Sequence, residues 1–478
     1  MNNDKIRRES MFSNNWLAVL ALAVVALAYV AIRFLDRKNF NWNLLLVLSL
    51  VAGVCVGLLF NDEGWLISGL RILFHDETGK VYFSNNLQYV ALIVRIYIGV
   101  TEAMVAPLIM LAILSAVMSL DNSHKLKTLG GRSLFWLLFN TIISIVFTIG
   151  VSLFVGVGKN VNLTIEGLSA KRYENINTQF IDVFEGFFPH NVFRELSENK
   201  VVPIIITALV LAVAYISFDN KEKLEPFRKG VEALKEILFR VIGFVVDLIP
   251  YAILAVGADA VGTIGGRWEN IQPLLVVIAV IIGLCLFHTF IIGGLFVKFG
   301  AGLDPIRFFQ KLMPAMMVGF STQSTIAALP TTINNLVTRI GVKEEVSNFT
   351  ATLGSTMGMP GCSGIWPVTL AIFAVNFLGI EYSPVQYLTL GVIAFAVSFG
   401  TAGVSGTAVI TATAVYTTAG LPLEVFVLLF PISFIVGMFR TPANVSCAAA
   451  AAAIVARQTG ELNEDIFFDR APQGLDTH

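Results

Sequence analysis

The chain has 478 residues, of which 56% are hydrophobic and only 14% charged, and its mean hydropathy is +0.76. A soluble domain with a mostly polar surface does not reach these values, so the composition predicts a polytopic membrane protein. The formal net charge of -1 gives no indication of nucleic-acid binding. The four cysteines all lie in apolar segments, where we expect small buried side chains and no disulfide framework.

Apolar segments long enough to cross a bilayer recur through the first 300 residues. A helix needs about 20 apolar residues to cross the hydrocarbon core. The first segment is too long for the apolar part of a signal peptide and lacks a convincing cleavage site, so we expect it to remain as an extra helix. The predicted spans lie near residues 15–35, 43–60, 88–119, 133–157, 201–217, 234–262 and 273–299.

Two apolar segments of the C-terminal third are interrupted by Gly, Ser and Thr. Residues 305–335 contain GFSTQSTIAALPTT, and residues 386–417 contain SFGTAGVSGTAVITAT. Each is followed by a long apolar segment, 349–377 and 421–456. Interrupted segments at corresponding positions predict hairpins that enter and leave from one side and meet at a midplane binding site. The alternative is a pair of packed helices with small residues at their contacts.

Charge in the loops predicts an orientation. The segments 121–132 and 218–235 are rich in Lys and Arg, which places them in the cytoplasm. The acidic loop 61–87 and the mixed segment 158–200 then lie outside. The charges around the first helix are balanced, and alternation from the later loops places the N-terminus outside.

An arginine, Arg440, lies within the apolar segment 421–456. An ionised side chain at this depth costs roughly 2.5 kcal/mol or more, so it is expected to face a partner and not lipid. A planar guanidinium suits a carboxylate, because it donates two parallel hydrogen bonds. The alternative is a structural cation bound to a backbone carbonyl or an acid, and Glu424 is the only acidic residue in this segment.

Four motifs occur in order over the C-terminal third: STQSTIAALP, LGSTMGMPGCSG, GTAGVSGTA and RTPANVS. Together they resemble the dicarboxylate/amino acid:cation symporters, the glutamate-transporter family. The run at 104–126 and GCSGIWP at 361–367 are most similar to its L-cystine uptake branch. The resemblance implies an all-α polytopic fold of eight transmembrane helices and two re-entrant hairpins, built from inverted repeats, here with an extra N-terminal helix. It also implies a homotrimer in which a transport domain slides against a fixed scaffold.

The resemblance divides the chain into segments. The scaffold would be 43–132 and 201–262, and the transport domain would be the helix 133–157 and residues 263–456, with hairpins 305–335 and 386–417. The remaining parts would be an N-terminal tail with the extra helix, 1–42, an extracytoplasmic loop, 158–200, and a cytoplasmic tail, 457–478.

The same resemblance implies a substrate site. Arg440 matches the family's substrate arginine, and Thr441 and Asn444 match neighbouring family positions. Ser324 and Thr325 match the tip of the first hairpin, which holds the substrate's main-chain carboxylate through hydroxyl and backbone N–H groups. The tip of the second hairpin, which closes over the substrate, matches Ala402, Gly403, Val404, Ser405 and Gly406.

Three positions depart from the family. Its cation-binding aspartates align with Pro360 and Ala448, and the acid for the substrate's amino group aligns with Gly437. Sodium is therefore not expected at those two sites, and a proton carried by His288 is the predicted coupling ion. The alternatives are a sodium site of backbone carbonyls near 355–359 and 398–403, including Thr356 and Gly358, and a packing role for His288.

These observations predict a secondary symporter of the bacterial inner membrane that imports a small amino acid, with L-cystine as the substrate, by an elevator mechanism. The alternatives are a C4-dicarboxylate or acidic amino acid symporter and a non-transporting binding descendant. No catalytic triad, metal cluster or phosphate loop falls where an enzyme site could form, so no enzyme, metal or cofactor is expected. The expected partners are a small carboxylate, a proton or sodium, membrane lipid and two further copies of the chain, without nucleic acid.

Overall fold

Helices make up all the regular secondary structure of the residues that the structure describes. This computed structural model describes residues 2–38, 42–60, 87–118, 124–159, 161, 185, 188–198, 200–218, 220–264, 268–401, 403, 407–430 and 432–470. Within these ranges the nearest approach to a β-structure is an isolated antiparallel bridge between Val342 and Leu462. The predicted all-α polytopic class is confirmed.

In the first half of the chain the structure describes long α-helices, one short α-helix and one short 3-10 helix. They are α1 (Asn2–Arg37), α2 (Trp42–Phe60), α3 (Gln88–Ala103), α4 (Val105–Met118), α5 (His124–Val155), α6 (Val192–Ser197), α7 (Val201–Ile216), α8 (Glu225–Asp247) and α9 (Ile249–Ile264). A short 3-10 helix, Lys221–Leu224, precedes α8.

The second half begins with α10 (Trp268–Phe287), which continues to Ala301 through two π-helical stretches, His288–Ile292 and Val297–Ala301. It is followed by α11 (Pro305–Thr322), α12 (Thr325–Asn335), α13 (Glu344–Gly354), α14 (Trp366–Phe377), α15 (Pro384–Val397), α16 (Thr407–Thr418), α17 (Leu423–Leu429), α18 (Ile432–Thr459) and α19 (Glu464–Phe467). Further π-helical stretches lie at Leu336–Ile340 and Pro360–Ile365.

Several helices have the length and hydropathy of membrane spans. Among the described residues five helices are long and apolar enough to cross a membrane: Ala18–Arg37, Thr128–Val155, Gln272–Ala301, Pro360–Phe377 and Ile432–Thr459. A sixth span results if the pair of helices bent by 48° at the α8–α9 junction is counted as one. Shorter apolar helices, α2 and α7 among them, add to these. The chain is therefore a multi-pass membrane protein.

Two predicted spans are divided. The segment 88–119 breaks at Met104 and the segment 234–262 breaks at Leu248. In each case a proline follows within the first turn of the next helix, Pro107 in α4 and Pro250 in α9. Proline is tolerated there because its missing N–H would have no helical partner, so the break falls just before it. The sequence prediction did not include these two interruptions, and whether each broken pair crosses the membrane as one span stays a prediction.

One set of helices packs around the crossing of α2 and α9. A Cβ atom at Gly53 would lie 2.3 Å from the carbonyl oxygen of Leu254, and one at Gly57 would lie 2.7 Å from that of Ala258. The two backbones are therefore in direct contact, as small residues permit between membrane helices. Helix α1 joins this set through Tyr29, whose hydroxyl donates to the carbonyl of Tyr251 at 3.0 Å. Helix α3 packs on α9, and α4 packs on both α7 and α8.

A second set of helices surrounds α18, which is almost entirely buried along its length. Its alanine run lets neighbours approach closely: a Cβ at Gly354 of α13 would lie 2.6 Å from the Cβ of Ala448. Helix α5 packs on the π-helical stretch Pro360–Ile365, where a Cβ at Gly364 would lie 2.1 Å from Ser144 Oγ. The glycine at position 354 is therefore what allows α13 to approach α18 at Ala448.

Both predicted hairpins are broken helices, as expected. In the first, α11 ends at Thr322 and α12 begins at Thr325, with Gln323 between them in the left-handed region at φ 52°. In the second, α15 passes into a 3-10 turn, Ser398–Gly400, and α16 begins at Thr407. A third break, residues 355–359, separates α13 from the π-helical stretch, and Gly358 has φ +66°. The breaks bond to one another across the protein, since the N–H of Ile326 donates to Gly403 O and the N–H of Gly358 donates to Ser398 O, both at 3.0 Å.

The C-terminal tail is tied to the base of the first hairpin. The backbone of Asn463 donates to the carbonyl of Gly341 at 2.7 Å. Asp469 accepts hydrogen bonds from Lys311 Nζ at 2.8 Å and from Arg307 Nη2 at 2.6 Å. These two cations lower the pKa of the Asp469 carboxyl, so the ion pair is complete at neutral pH and is lost as the pH falls through that lowered pKa.

Replacing Asp469 by asparagine should therefore loosen the tail. We expect severalfold faster amide hydrogen exchange over residues 461–469 at pH 7, and in the parent protein a similar loosening only in acid. Asp465→Asn is the matched control, because among the described residues the Asp465 carboxylate makes a single ion pair, with Arg470 at 4.0 Å. Equal exchange in the Asp469 variant and the parent would show that the ion pair does not hold the tail.

Candidate functional site

The Arg440 guanidinium is buried and largely unsatisfied. Only 4% of the residue is exposed. Its Nη2 donates to the carbonyl oxygen of Ser433 at 2.8 Å and contacts the Ser433 hydroxyl at 3.3 Å. Its Nε and Nη1 atoms have no hydrogen-bond partner among the described residues. Three N–H groups of a buried cation are thus available to an acceptor that the described protein does not supply.

The face of the guanidinium lies against Trp366. The Cζ atom of Arg440 is 4.5 Å from the centre of the indole ring. The indole N–H donates to the carbonyl oxygen of Ala408 in α16 at 3.1 Å, which fixes the ring to the second hairpin. A desolvated cation over a tryptophan face gains about 2 kcal/mol. This contact offsets part of the desolvation cost without using the three N–H groups.

Acidic residues do not neutralise Arg440 within the described part of the chain. No ion pair to Arg440 occurs there, and Glu424, the acid on the same apolar segment, is exposed. The thiols of Cys285 and Cys362 lie close to the guanidinium instead. A buried cation with neutral neighbours is costly, so the site favours an anion.

Asn444 ties α18 to the broken helix beside it. Its Oδ1 accepts from the backbone N–H of Gly361 at 2.8 Å, and its Nδ2 donates to Cys362 Sγ at 3.1 Å. A Cβ at Gly361 would lie 2.5 Å from the carbonyl oxygen of Arg440. Both ends of the Asn444 carboxamide thus hold residues 361 and 362 against α18. Its direct role toward a substrate stays a prediction.

Thr441 faces the first hairpin. Its hydroxyl donates to the carbonyl of Gly437 at 3.1 Å. Its methyl group borders Gly319 of α11, where a Cβ would lie 3.3 Å from it. The residue therefore contacts the hairpin through its methyl group, while its hydroxyl bonds to its own helix.

The tips of the two hairpins are joined through one carbonyl group. The Gly403 oxygen accepts from Ser324 Oγ at 2.9 Å, from Thr325 Oγ1 at 3.2 Å and from the backbone N–H of Ile326 at 3.0 Å. Ser324 is also the N-cap of α12 and accepts from the N–H of Ala327 at 3.1 Å. The positive end of α12 is thus covered by a carbonyl of the second hairpin. The structure brings the predicted residues Ser324, Thr325 and Gly403 together.

The other predicted residues of the second tip are Ala402, Val404, Ser405 and Gly406, and they lie outside the described residues. Their contribution to substrate binding stays a prediction. The described neighbours show how close the tip comes, because a Cβ at Gly403 would lie 1.8 Å from Thr325 Oγ1 and 2.3 Å from the carbonyl oxygen of Ser355.

The predicted carbonyl site for an ion lies beside apolar side chains. The N–H of Gly358 donates to the carbonyl of Ser398 at 3.0 Å, so the breaks at 355–359 and 398–403 are neighbours. The carbonyl of Gly358 faces the Cys447 thiol at 3.9 Å. Thr356 Oγ1 donates to its own helix, at Leu353 O, 3.0 Å away. Around Gly358 lies a cluster of Leu137, Leu353, Met357, Cys447 and Ala451.

His288 opens the first π-helical stretch of α10 and is 3% exposed. Neither ring nitrogen has a hydrogen-bond partner among the described residues, although the ring faces the backbone of Asn140 on α5. The side-chain oxygen of Asn140 is likewise without a partner there. His288 lies one turn beyond Cys285, which borders Arg440.

Sequence reasoning missed three residues of this site: Trp366, Gln323 and Ser433. Trp366 and Gln323 were present in the quoted motifs GCSGIWP and STQSTIAALP. A large aromatic residue and an amide within otherwise small-residue motifs were the available signals. Ser433 precedes Arg440 by seven residues, two turns along α18, and that spacing was the signal for it.

Apolar helices in which two broken hairpins meet over a buried, unpaired arginine define a membrane transporter and not an enzyme. The model of the sodium:dicarboxylate symporter family matches residues 43–458, so the chain belongs to that family. Members of this class couple the movement of a small molecule to that of a cation. In bacteria such multi-pass proteins lie in the inner membrane.

Several relatives are similar over nearly the whole chain. The L-cystine uptake protein TcyP of Bacillus cereus is 27% identical, over 95% of this chain and 97% of the relative. The protein of that name from Shouchella clausii is 26% identical, over 97% and 98%. An uncharacterized symporter of Haemophilus influenzae is 28% identical, over 79% of this chain and 88% of the relative.

Replacing Gly403 by alanine should hold the hairpin tips apart. The added methyl group would overlap Thr325 Oγ1 and the carbonyl oxygen of Ser355. The first atom belongs to a short side chain and the second to the backbone, so neither can move away easily. We expect loss of solute transport by at least about tenfold. Gly283→Ala is the control, since a Cβ there meets no atom within 4 Å. Parental transport by the Gly403 variant would show that the tips need not close.

Replacing Arg440 by lysine should weaken solute binding by about tenfold or more, because the charge is kept while the fork of N–H groups is lost. Arg457→Lys is the control. Arg457 lies at the end of the same helix, where it donates hydrogen bonds to Ala301 O and to the Glu464 carboxylate. Binding to purified protein measures the effect. If the Arg440 variant binds as tightly as the parent, the arginine is structural.

Proposed function

We propose that this protein is a symporter that imports a small amino acid, L-cystine, into the cell by an elevator mechanism. The observation that carries the proposal is the buried Arg440 guanidinium, with three N–H groups unpaired in the described structure and its face on Trp366. A carboxylate of the solute would satisfy those groups. Relatives named L-cystine uptake proteins favour cystine among the amino acids.

The chemistry of the surrounding side chains agrees with a disulfide-containing solute. The Trp366 ring lies on the guanidinium and the thiols of Cys285 and Cys362 interact with it, while Met359 Sδ lies 3.8 Å from Thr325 Oγ1 at the tip of the first hairpin. Thioether and aromatic groups pack well against sulfur. A charged side chain such as that of aspartate would meet no second described cation beside Arg440, so acidic amino acids and C4-dicarboxylates are the less favoured substrates.

The division of the helices supports the elevator mechanism. The set around α2 and α9 would be the fixed scaffold, and the set around α18, which carries both hairpins, would be the moving part. Their contact includes Gly400 beside α4, where a Cβ would lie 2.7 Å from Ile109. A homotrimer assembled through the scaffold completes the proposal. A mass spectrum of the native protein in mild detergent that shows only monomers would contradict this assembly.

We further propose that a proton drives uptake and that His288 carries it. His288 and Asn140 are buried polar groups whose unpaired atoms lie on neighbouring helices. The alternative ion position around Gly358 is lined by apolar side chains, and Ala448 offers no oxygen ligand in its side chain. A sodium ion prefers several oxygen ligands, which this position does not gather. An imidazole needs only access to water during the cycle to change its charge.

Sodium coupling through carbonyl groups is the second candidate. The carbonyl oxygens of Ser355 and Gly403 both lie within reach of Thr325 Oγ1, at 3.5 and 3.2 Å. Movement of the second hairpin would release the Gly403 carbonyl from that hydroxyl, so a single cation could bind between the two breaks. This site would exist only in another conformation of the hairpin.

The deciding experiment is uptake of L-cystine into proteoliposomes. We expect uptake under an inward proton gradient in sodium-free buffer, and its loss in His288→Gln, which keeps a polar side chain that does not titrate. Uptake driven by a sodium gradient alone would exclude the proton and favour the carbonyl site. Tight binding of cystine without uptake under either gradient would instead indicate a binding protein.

A further inference from the structure

Gln323 occupies an unusual position at the tip of the first hairpin. Its backbone has φ 52°, in the left-handed region that few residues other than glycine adopt, and its N–H donates to the carbonyl of Gly319 at 2.8 Å. The chain turns at this residue between α11 and α12. The turn directs the Gln323 side chain toward α18.

The Gln323 carboxamide fills the space in front of Gly437. A Cβ atom at Gly437 would lie 2.4 Å from Gln323 Oε1 and 3.3 Å from Arg440 Nη2. The amide oxygen and the guanidinium therefore border the same small space. Any side chain at position 437 would displace the amide, so glycine is required there as long as Gln323 points this way.

An α-amino acid has its ammonium group two bonds from its carboxylate carbon. If the carboxylate binds the unpaired N–H groups of Arg440, the ammonium must find an acceptor close to the guanidinium. Gln323 Oε1 is a hydrogen-bond acceptor in that place, since an amide oxygen has two lone pairs. This step rests on the proposed function, because it takes Arg440 as the carboxylate-binding group.

We propose that Gln323 determines specificity by accepting a hydrogen bond from the α-ammonium group of the substrate. A carboxylate in the same place would pair with Arg440 and compete with the solute. A neutral oxygen accepts from the ammonium and leaves the guanidinium available. Gln323 thereby distinguishes α-amino acids from carboxylates that have no amino group, while Arg440 binds both.

The test compares L-cystine with 3,3′-dithiodipropionate, which is cystine without its two amino groups. Binding of each to the purified full-length protein is measured for the parent and for Gln323→Met, which keeps the length and removes the amide. A lost hydrogen bond to a charged group should lower cystine affinity about 10- to 100-fold and leave dithiodipropionate almost unchanged. Gln310→Met on α11, at the far end of the same hairpin, is the matched control and should keep the parental preference.

Two further variants test whether the lost contact, and not misfolding, causes the change in preference. Gln323→Asn retains an amide and tolerates the left-handed backbone, but its oxygen is withdrawn from Gly437, so the preference for cystine should fall in this variant too. Gly437→Ala should have a similar effect, and adding it to Gln323→Met should cause little further loss, because both remove one contact.

The possible results distinguish a failure of the proposed role of Gln323 from a failure of the proposed function. If the parent binds cystine and the Met and Asn variants keep its preference over dithiodipropionate, Gln323 does not recognise the ammonium and the inference is overturned. If both compounds bind equally to the parent, the inference fails while the carboxylate role of Arg440 stands. If the parent binds neither compound, the proposed function itself fails.

Discussion

A cation buried among neutral groups is the constraint around which this protein is organised. Arg440 is held by a cation–π contact with Trp366 and by one hydrogen-bonded nitrogen, and neither contact neutralises its charge. The surrounding elements are arranged to keep it in place: Gly361 permits the broken helix to lie on the Arg440 backbone, and Asn444 fixes that helix to α18. The second hairpin holds the indole through the carbonyl of Ala408.

The positions around the arginine are neutral for reasons that packing explains. Gly437 gives its space to Gln323, and Ala448 lies against Gly354, where an added Cβ would be 2.6 Å from the Ala448 Cβ. Pro360 opens the π-helical stretch and is buried. The described residues near Arg440 therefore supply no charge that balances the guanidinium, which is why a carboxylate is the solute group that we propose for it.

The sequence predicted the interruptions of these helices and the buried position of Arg440, because both are local departures from an apolar pattern. It also predicted the unwound backbone at 355–359, since Gly and Pro occur together there. Contacts between distant segments could not be predicted. Trp366 stacks on Arg440 from 74 positions away in the sequence, and the Gln323 side chain lies beside Gly437, which is 114 positions further along the chain. The breaks before Pro250 and Pro107 were missed because hydropathy is continuous across them.

The three hydrogen bonds to Gly403 have a consequence for how the tips separate. A carbonyl oxygen has two lone pairs, so three donors must share them and none is at full strength. All three break together when the second hairpin moves, which makes opening an all-or-none event. At about 0.5 to 1.5 kcal/mol each, the three bonds together contribute about 1.5 to 4.5 kcal/mol to contact between the tips. One carbonyl group thus concentrates the described polar contact of both tips on a single atom, so a change at residue 403 acts on all three bonds together.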